Sequence, residues 1–471
     1  MGRCRAGGDG RRLGGQKRGL KEALDADVVA EIEAFVGPGV LDGLDFEAIE
    51  MEARRRALAV AARVVERQLN ADTSDHAAST QPCPGCGRAA RYAGRRKKTF
   101  TAALGLMTLE RAYYHCAACA CGFCPRDAVL GLEDTPLSPA VTRMVGKVAA
   151  RVSFAEGSDL LDELAGVRAD AKQVERYGEA LGEEIAQAER TDVEPEPPCA
   201  PTMYLGTDGT GAPMRRSELV GRAGKQRDGS AKTREVKLVT IWSAETRDAE
   251  GLPVRDPGSV SYSAAIESAA TLDTDPELSP FAQRVERQAI RRGFDQAQRQ
   301  VFLGDGARWI WNLADELFPR AVQIVDLFHA KQRLFDAARA IYGAGSDLAQ
   351  QWAVSRCEEL DQGRLLYIVQ ALRAHLSTHP QLHQCLRYIV RNRSRMRYTR
   401  FRAQGLCVST GVVEAGCKGV VGTRLKRPGM HWTVAGANAI LALRCSMLNG
   451  RFDDAWQRRS NRYRTSAAAP G

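Results

Sequence analysis

The sequence predicts a multidomain α+β chain, and three observations carry that prediction. At 471 residues the chain exceeds what a single core usually organises. Two cysteine pairs at CxxC spacing lie upstream of the Pro-rich stretch "TDVEPEPPCAP". Beyond that stretch, short apolar runs of strand length alternate with helical patterns. Helices, a zinc-ribbon-like cysteine module and more helices are therefore expected ahead of an α/β core.

Hydrophobic residues make up 44% of the chain, a globular proportion. The 67 Lys and Arg against 57 Asp and Glu give a net charge of +10, which suits a polyanionic partner. The opening "MGRCRAGGDGRRLGGQKRG" is basic and Gly-rich with no apolar core, and no run of about 18 apolar residues occurs. A soluble cytoplasmic protein with no membrane partner is expected. Six of the 13 cysteines cluster, which points to metal rather than disulfides in such a chain.

In order, residues 1–78 read as a disordered start (1–19), helices within 20–71 and the linker "DTSDHAASTQP". The cysteine module spans 79–128. Residues 129–192 carry three helical patterns, and the short turn between the last two is compatible with a helix-turn-helix or with two packed linker helices. From 200 to 330 the order is β, β, β, α, β, α, β: "TMYLGTDGTG", "REVKLVTIWSAE" and "SVSYSAAI" are strands, and "SPFAQRVERQAIRRG" is a helix. "QVFLGDGARWIWNLADELFPRAVQIVDLFHA" adds strand, helix, strand, with Trp309, Ile310, Leu313 and Leu317 at helical spacing. Residues 331–402 are helical, 403–450 contain a last acidic helix and "VAGANAILALRCSML", and 451–471 form a tail.

The pairs Cys83/Cys86 and Cys116/Cys119 can each offer two thiolates from one turn, completing a tetrahedral four-Cys zinc site with no position left for water. A structural Zn²⁺ is expected. Cys121 and Cys124 form a further CxxC, so either can take the fourth position instead of Cys119. "GRRKKTF", between the pairs, reads as a basic hairpin.

Asp208, Asp305 and Asp326 each follow an apolar run, where a strand's carboxyl end in an α/β sheet places ligand groups. An aspartate there is also commonly a helix N-cap. Strand order separates the two roles. With the first strand central beside the fourth, and the fifth beyond, Asp305 lies about 5 Å from Asp208 and Asp326 about 10 Å. Bridged metal ions sit roughly 3.5 to 4 Å apart, so Asp208 and Asp305 form the pair and Asp326 is a strand too far. Adjacent carboxylates repel unless protonated or coordinated, so Mg²⁺ or Mn²⁺ is expected between them. Glu414, in a helical segment after a Ser/Thr start, is either the third ligand or a surface helix residue; Asp326 either caps the following helix or supports the site with His329, and His329 alone is equally a structural histidine packed on that helix.

These motifs, "YLGTDGTG", "FLGDGARWIW" with "FPRAVQIVDLFHA", and "TGVVEAGCKGVVGTRLKR" below a CxxC module, resemble bacterial insertion-sequence transposases of the DDE class, in the broad group similar to Mutator-like elements. The resemblance covers roughly residues 79–450. It implies an RNase H-like catalytic domain interrupted by the helices of 331–402, with Asp208, Asp305 and Glu414 as the three acids in order. Where that family often shows Cys-x-x-His after the second acid, this chain has "DLFH", Asp326 to His329.

"RYIVRNRSRMRYTRFR" packs seven arginines, with Arg387, Arg391 and Arg395 on one helical face suited to tracking phosphates. Lys418, Arg424, Lys426 and Arg427 add charge beside the acidic helix. The expected function is DNA transposition: metal-dependent strand cleavage at element ends, then strand transfer into double-stranded target DNA by a homo-oligomer. The alternatives are a nuclease or resolvase of the same fold without strand transfer, and a non-catalytic zinc-containing DNA-binding regulator.

Overall fold

The fold is described by a computed structural model covering residues 26, 29, 30, 33, 42–133, 135–191, 193–224, 226, 229–270 and 277–468. The disordered start and nearly all of the helical reading over 20–36 lie outside these residues. The chain divides into two compact units, one of 1–148, 154–175 and 454–471, the other of 149–153 and 176–453.

In the first unit, Asp45 accepts the Ala48 N–H at 2.8 Å and caps α1 (Phe46–Ala71), whose Ala62, Val65 and Leu69 pack on Ala102 and Met107. Strands β1 (Thr80–Pro82), β2 (Ala89–Ala102), β3 (Gly105–Cys116) and β4 (Cys121–Phe123) form an antiparallel sheet in chain order. The expected linker is instead a clamp. Asp75 accepts from Arg95 at 2.9 Å and from the Ala112 N–H at 2.8 Å, and His76 stacks on Tyr92. Paired carboxylate oxygens hold the backbone here better than a solvated turn would. "GRRKKTF" is in a hairpin as expected, as one arm of β2–β3. It lies within β2, because the turn comes later, between Ala102 and Gly105. Three of its four charges are engaged: Arg95 on Asp75, Arg96 over the Tyr113 ring at 3.5 Å, and Lys98 on the Thr135 carbonyl at 3.1 Å. After α2 (Pro125–Leu130) come α3 (Pro139–Ala149) and α4 (Phe154–Ala165), and then α5 (Ala171–Thr191), most of which belongs to the second unit; the three match the three helical patterns.

The second unit is built on β5 (Thr202–Pro213), β6 (Thr233–Ser243), β7 (Ser261–Ala265), β8 (Arg299–Gly304) and β9 (Val322–Val325). Their spatial order is β7-β6-β5-β8-β9. The first three run antiparallel, while β5, β8 and β9 run parallel. This is the order expected from the sequence. Apolar residues fill both faces of the central strands, as buried strands in α/β proteins require. Between β7 and β8 runs α6 (Pro280–Arg291), capped by Ser279 with Pro280 at its first position. Between β8 and β9 runs α7 (Arg308–Leu317), burying Ile310, Trp311, Leu313 and Ala314; the buried stripe is shifted slightly from the one expected.

Helices α8 (Leu327–Tyr342), α9 (Asp347–Asp361), α10 (Leu365–Ala374), α11 (Leu382–Asn392) and α12 (Tyr398–Ala403) follow β9. Two tyrosine hydroxyls pin them to the sheet: Tyr388 donates to the Asp305 carbonyl at 2.8 Å and Tyr398 to the Val325 carbonyl at 3.1 Å. Gly306 makes the first contact possible. Its φ is +96°, and a Cβ there would lie 2.3 Å from the Tyr388 ring. The chain then returns to the sheet through α13 (Gly411–Gly416), a π-helical turn (Cys417–Gly422), α14 (Thr423–Leu425) and α15 (Val434–Leu448). The expected tail is a helix, α16 (Phe452–Ala468).

Candidate metal centres

The ribbon's two CxxC turns are built alike. The Cys83 sulfur accepts from the N–H groups of Gly85 and Cys86, and the Cys116 sulfur from those of Ala118 and Cys119. Cys86 accepts from Arg88, and Cys119 from Cys121. Each turn then needs a left-handed residue one place after its second cysteine: Gly87 at φ +70° in one, Ala120 at φ +56° in the other. The four Sγ atoms all lie within 4.8 Å of one another, with Cys83–Cys119 and Cys86–Cys116 at 3.6 Å. Among the described residues this is the group of three or more ligand side chains drawn so close. Cys121 and Cys124 stand outside it, so Cys119 is the fourth member.

The electrostatics suit a cation. Burial opposes a thiolate at Cys83, yet the amide donors and neighbouring thiols outweigh it and bring the thiol down to about 7. Cys119, despite the N–H of Cys121, is pushed up to about 12 by the Cys86 and Cys83 thiols. Four sulfurs this close do not all ionise unaided. The ribbon can therefore hold a structural metal such as zinc, in a closed four-thiolate shell.

The carboxylates are placed by strand register. Residues 202–206 of β5 each pair with the β8 residue 97 positions later, the last pair being Gly206 with Leu303; the same register carried two residues on sets Asp208 opposite Asp305, whose charge reaches it. In the same way β8 pairs with β9 at 21 positions, up to Gly304 with Val325, so Asp305 faces Asp326. The three aspartates thus form one row across the parallel strands, within β5 and just past the ends of β8 and β9, with a spacing of about 4.8 Å per strand.

Their surroundings differ. Asp208 is partly buried. Burial raises its pKa above the usual aspartate value and the Asp305 charge adds to that, against the Gly209 N–H and the Cys417 thiol. Asp305 accepts the Ala307 N–H at 2.8 Å on one oxygen. Asp326 is buried and saturated. One oxygen takes the His329 N–H at 2.6 Å and His329 Nδ1 at 3.0 Å; the other takes the Thr410 N–H and, at 2.8 Å, the Thr410 hydroxyl. It is the N-cap of α8. Thr410 in turn is the N-cap residue of α13, the acidic helix, so Asp326 joins the fifth strand to that helix. Burial opposes the Asp326 charge, but these donors win and hold its pKa low. His329 is raised by its bond to Asp326, with the Asp305 and Asp208 charges contributing.

Glu414 sits on α13, which packs on β5 and β6, but its side chain is 58% exposed and pairs with Lys418 at 2.8 Å. Asp208, Asp305 and Glu414 are not gathered as the thiols are. The residue that meets Asp208 from this segment is Cys417, at 3.4 Å from Oδ2. Sequence reasoning missed it and Thr410. Cys417 follows Glu414 by three positions, which puts both near one helical face, and Thr410 follows Ser409 at the helix start where caps belong.

Two of the cations proposed for DNA are placed otherwise. Arg424 is fully buried: Nε donates to the Ala149 carbonyl at 2.7 Å, and the guanidinium lies over the Trp432 ring at 5.0 Å. A buried guanidinium spent on backbone and an aromatic face is packing, not a phosphate contact. Arg395 leaves the expected row because α11 ends at Asn392 and residues 393–395 wind as 3-10 helix. It bonds Gln323 at 2.6 Å and stacks over Trp311 at 4.6 Å. Arg387 and Arg391 remain exposed on α11. Lys426 is exposed and donates to Thr210. Arg427 is half-buried, and Lys418 is spent on Glu414. No helix of the described residues is long and apolar enough to cross a membrane. No protein-family model and no curated protein matches the chain.

Proposed function

We propose that the chain is a DNA transposase of the DDE class, with the second unit as an RNase H-like core and the α8–α12 helices as its insertion. The observation that carries this reading is the pair Asp208 and Asp305 on adjacent parallel strands, which the strand register, carried two residues on, sets side by side. The pair is flanked by a third aspartate already spent on structure. Two half-buried carboxylates with all-oxygen donors suit a hard divalent cation, Mg²⁺ or Mn²⁺. When bound, such a cation would neutralise charge on the phosphoryl oxygens and favour an ionised nucleophile.

Asp208 and Asp305 would hold that cation, and Glu414, now paired with Lys418, would be the third ligand. His329 keeps its Nδ1 on Asp326, and that contact, with the nearby carboxylates, favours its protonated form. The exposed Arg387 and Arg391, with Lys426 beside Asp208, bear on the phosphates of double-stranded DNA. The reaction is in-line attack of water on a phosphodiester at an element end. The freed 3′ hydroxyl then attacks a phosphodiester of target DNA. Joining two ends requires two such sites, so the working form is a homo-oligomer. The four-thiolate ribbon holds Zn²⁺ as a structural ion.

A supercoiled donor plasmid carrying the gene with its flanking DNA, incubated with protein, target DNA and Mg²⁺, tests the reading. Joined donor–target products that vanish with Asp305→Asn are expected. Cleavage without joining would make the protein a nuclease or resolvase of the same fold. Binding without any cleavage would leave a DNA-binding regulator.

A further inference from the structure

The segment 411–426 runs along one face of β5. Gly206, Asp208 and Thr210 alternate onto that face, as residues two apart on a strand do. Each is met from above. Val413 fills the space over Gly206, where a Cβ would lie 2.4 Å from its Cγ2. The Cys417 thiol donates to Asp208 Oδ2 at 3.4 Å, and Lys426 donates to the Thr210 hydroxyl.

The middle contact bears on chemistry. Asp208 Oδ1 is taken by the N–H of its own neighbour Gly209 at 2.7 Å, so the thiol on Oδ2 is the side-chain contact that sets the carboxylate's rotation. Cys417 is itself held in place. It is buried, and it opens the π-helical turn whose Gly419 carbonyl accepts from Arg444 Nε at 2.8 Å. Just before it, Gly416 lets the helix press on the sheet: a Cβ there would lie 2.7 Å from the Tyr262 ring and 2.9 Å from Leu238, the β6 partner of Asp208. A π-helical turn is uncommon, and such turns concentrate where a helix must present a particular group.

We propose that Cys417 is the positioning residue of Asp208: its thiol holds the carboxylate turned toward Asp305 and so sets how tightly the pair binds a hard divalent cation. This rests on the two-carboxylate reading above. A residue supporting a metal ligand from outside the coordination shell typically changes affinity by about 10- to 100-fold when removed.

The test is Mn²⁺ binding to the full chain, followed by the electron paramagnetic resonance signal of free Mn²⁺. Cys417→Ala is expected to weaken binding about tenfold, and Cys417→Ser, which keeps a donor, to recover to within about threefold of the native protein. Should the Ala variant fail to fold by circular dichroism, Cys417→Val, of similar volume and without a donor, takes its place. Asp208→Asn is the reference for complete loss. Native affinity in the donor-free variant while Asp208→Asn binds nothing overturns the positioning role alone. Native affinity in Asp208→Asn as well overturns the carboxylate site and this inference with it.

Discussion

The ribbon thiols and the aspartate row are both collections of side chains of metal-ligand type, but they are assembled by different physics. In the ribbon, each pair is set by a single five-residue turn, and amide donors already stabilise the sulfurs before any ion arrives. The sheet pair is brought together by parallel strand register between residues 97 positions apart, and Glu414, the proposed third acid, is paired with Lys418. Locally encoded ligands come preformed; ligands encoded across the fold wait for their cation. A closed structural site should therefore respond to ligand loss by unfolding, and an open one by losing chemistry while keeping its fold.

The largest expected effect is at the ribbon. Cys83→Ser should lose the bound metal and the ordered module with it, since structural zinc contributes about 10 to 16 kcal/mol in small metal-folded domains. Metal analysis and proteolysis of the 79–128 region would report both. Full zinc content in the variant would break the comparison at its firmer end.

Next is Asp326→Asn. Four donors converge on this carboxylate, two from His329 and two from Thr410, and an amide oxygen and nitrogen cannot accept them all. A loss of about 2 to 3 kcal/mol is expected, more than an exposed cap would cost. Its pH signature follows from the two partners. The Asp326 pKa is lowered on folding, so its contribution is present above the ordinary value of 3.8 and is lost as pH falls through the folded value. The His329 pKa is raised, so its contribution is complete below 6.5 and is lost as pH rises through the folded value. The pair therefore stabilises most between those two pH values. NMR titration should show the His329 pKa falling in Asp326→Asn, and an unshifted His329 would contradict the pairing.

Both sites were partly legible in the sequence, for reasons that the residues make plain. CxxC spacing exposes a local turn, and apolar runs ending in aspartate expose strand ends. Strand order followed from the antiparallel then parallel pattern, so the place of Asp305 beside Asp208 could be read directly. What could not be read was where long side chains spend themselves. Arg424 and Arg395 lie in basic runs, yet one is buried over Trp432 and the other over Trp311. Periodicity also gave no warning that α11 stops at Asn392. Cys417 was hidden because its partner lies 209 positions away.

Smaller effects sharpen these points. Arg387→Ala with Arg391→Ala should flatten the dependence of log DNA affinity on log salt by about 2 units, roughly 0.9 for each phosphate contact. Arg395→Ala should leave that slope unchanged, because its guanidinium is committed to Gln323 and Trp311. A flatter slope in Arg395→Ala would put it back on the DNA. The smallest effect separates the two CxxC turns. Gly87→Ala, at positive φ with open space around it, should cost about 1 to 2 kcal/mol, whereas Ala120→Gly should gain under about 1 kcal/mol. Thermal melts of the zinc-loaded protein measure both.

The central claim is that Asp305 binds metal with Asp208 while Asp326 joins strand to helix. Calorimetric titration of Mn²⁺ into Asp305→Asn and Asp326→Asn, each shown to be folded, tests it most directly. The account predicts no measurable binding at this site in Asp305→Asn and retained binding in Asp326→Asn, weakened no more than about tenfold as for a supporting residue. Retained binding in Asp305→Asn with complete loss in a folded Asp326→Asn would contradict it, and would make Asp326 the partner of Asp208.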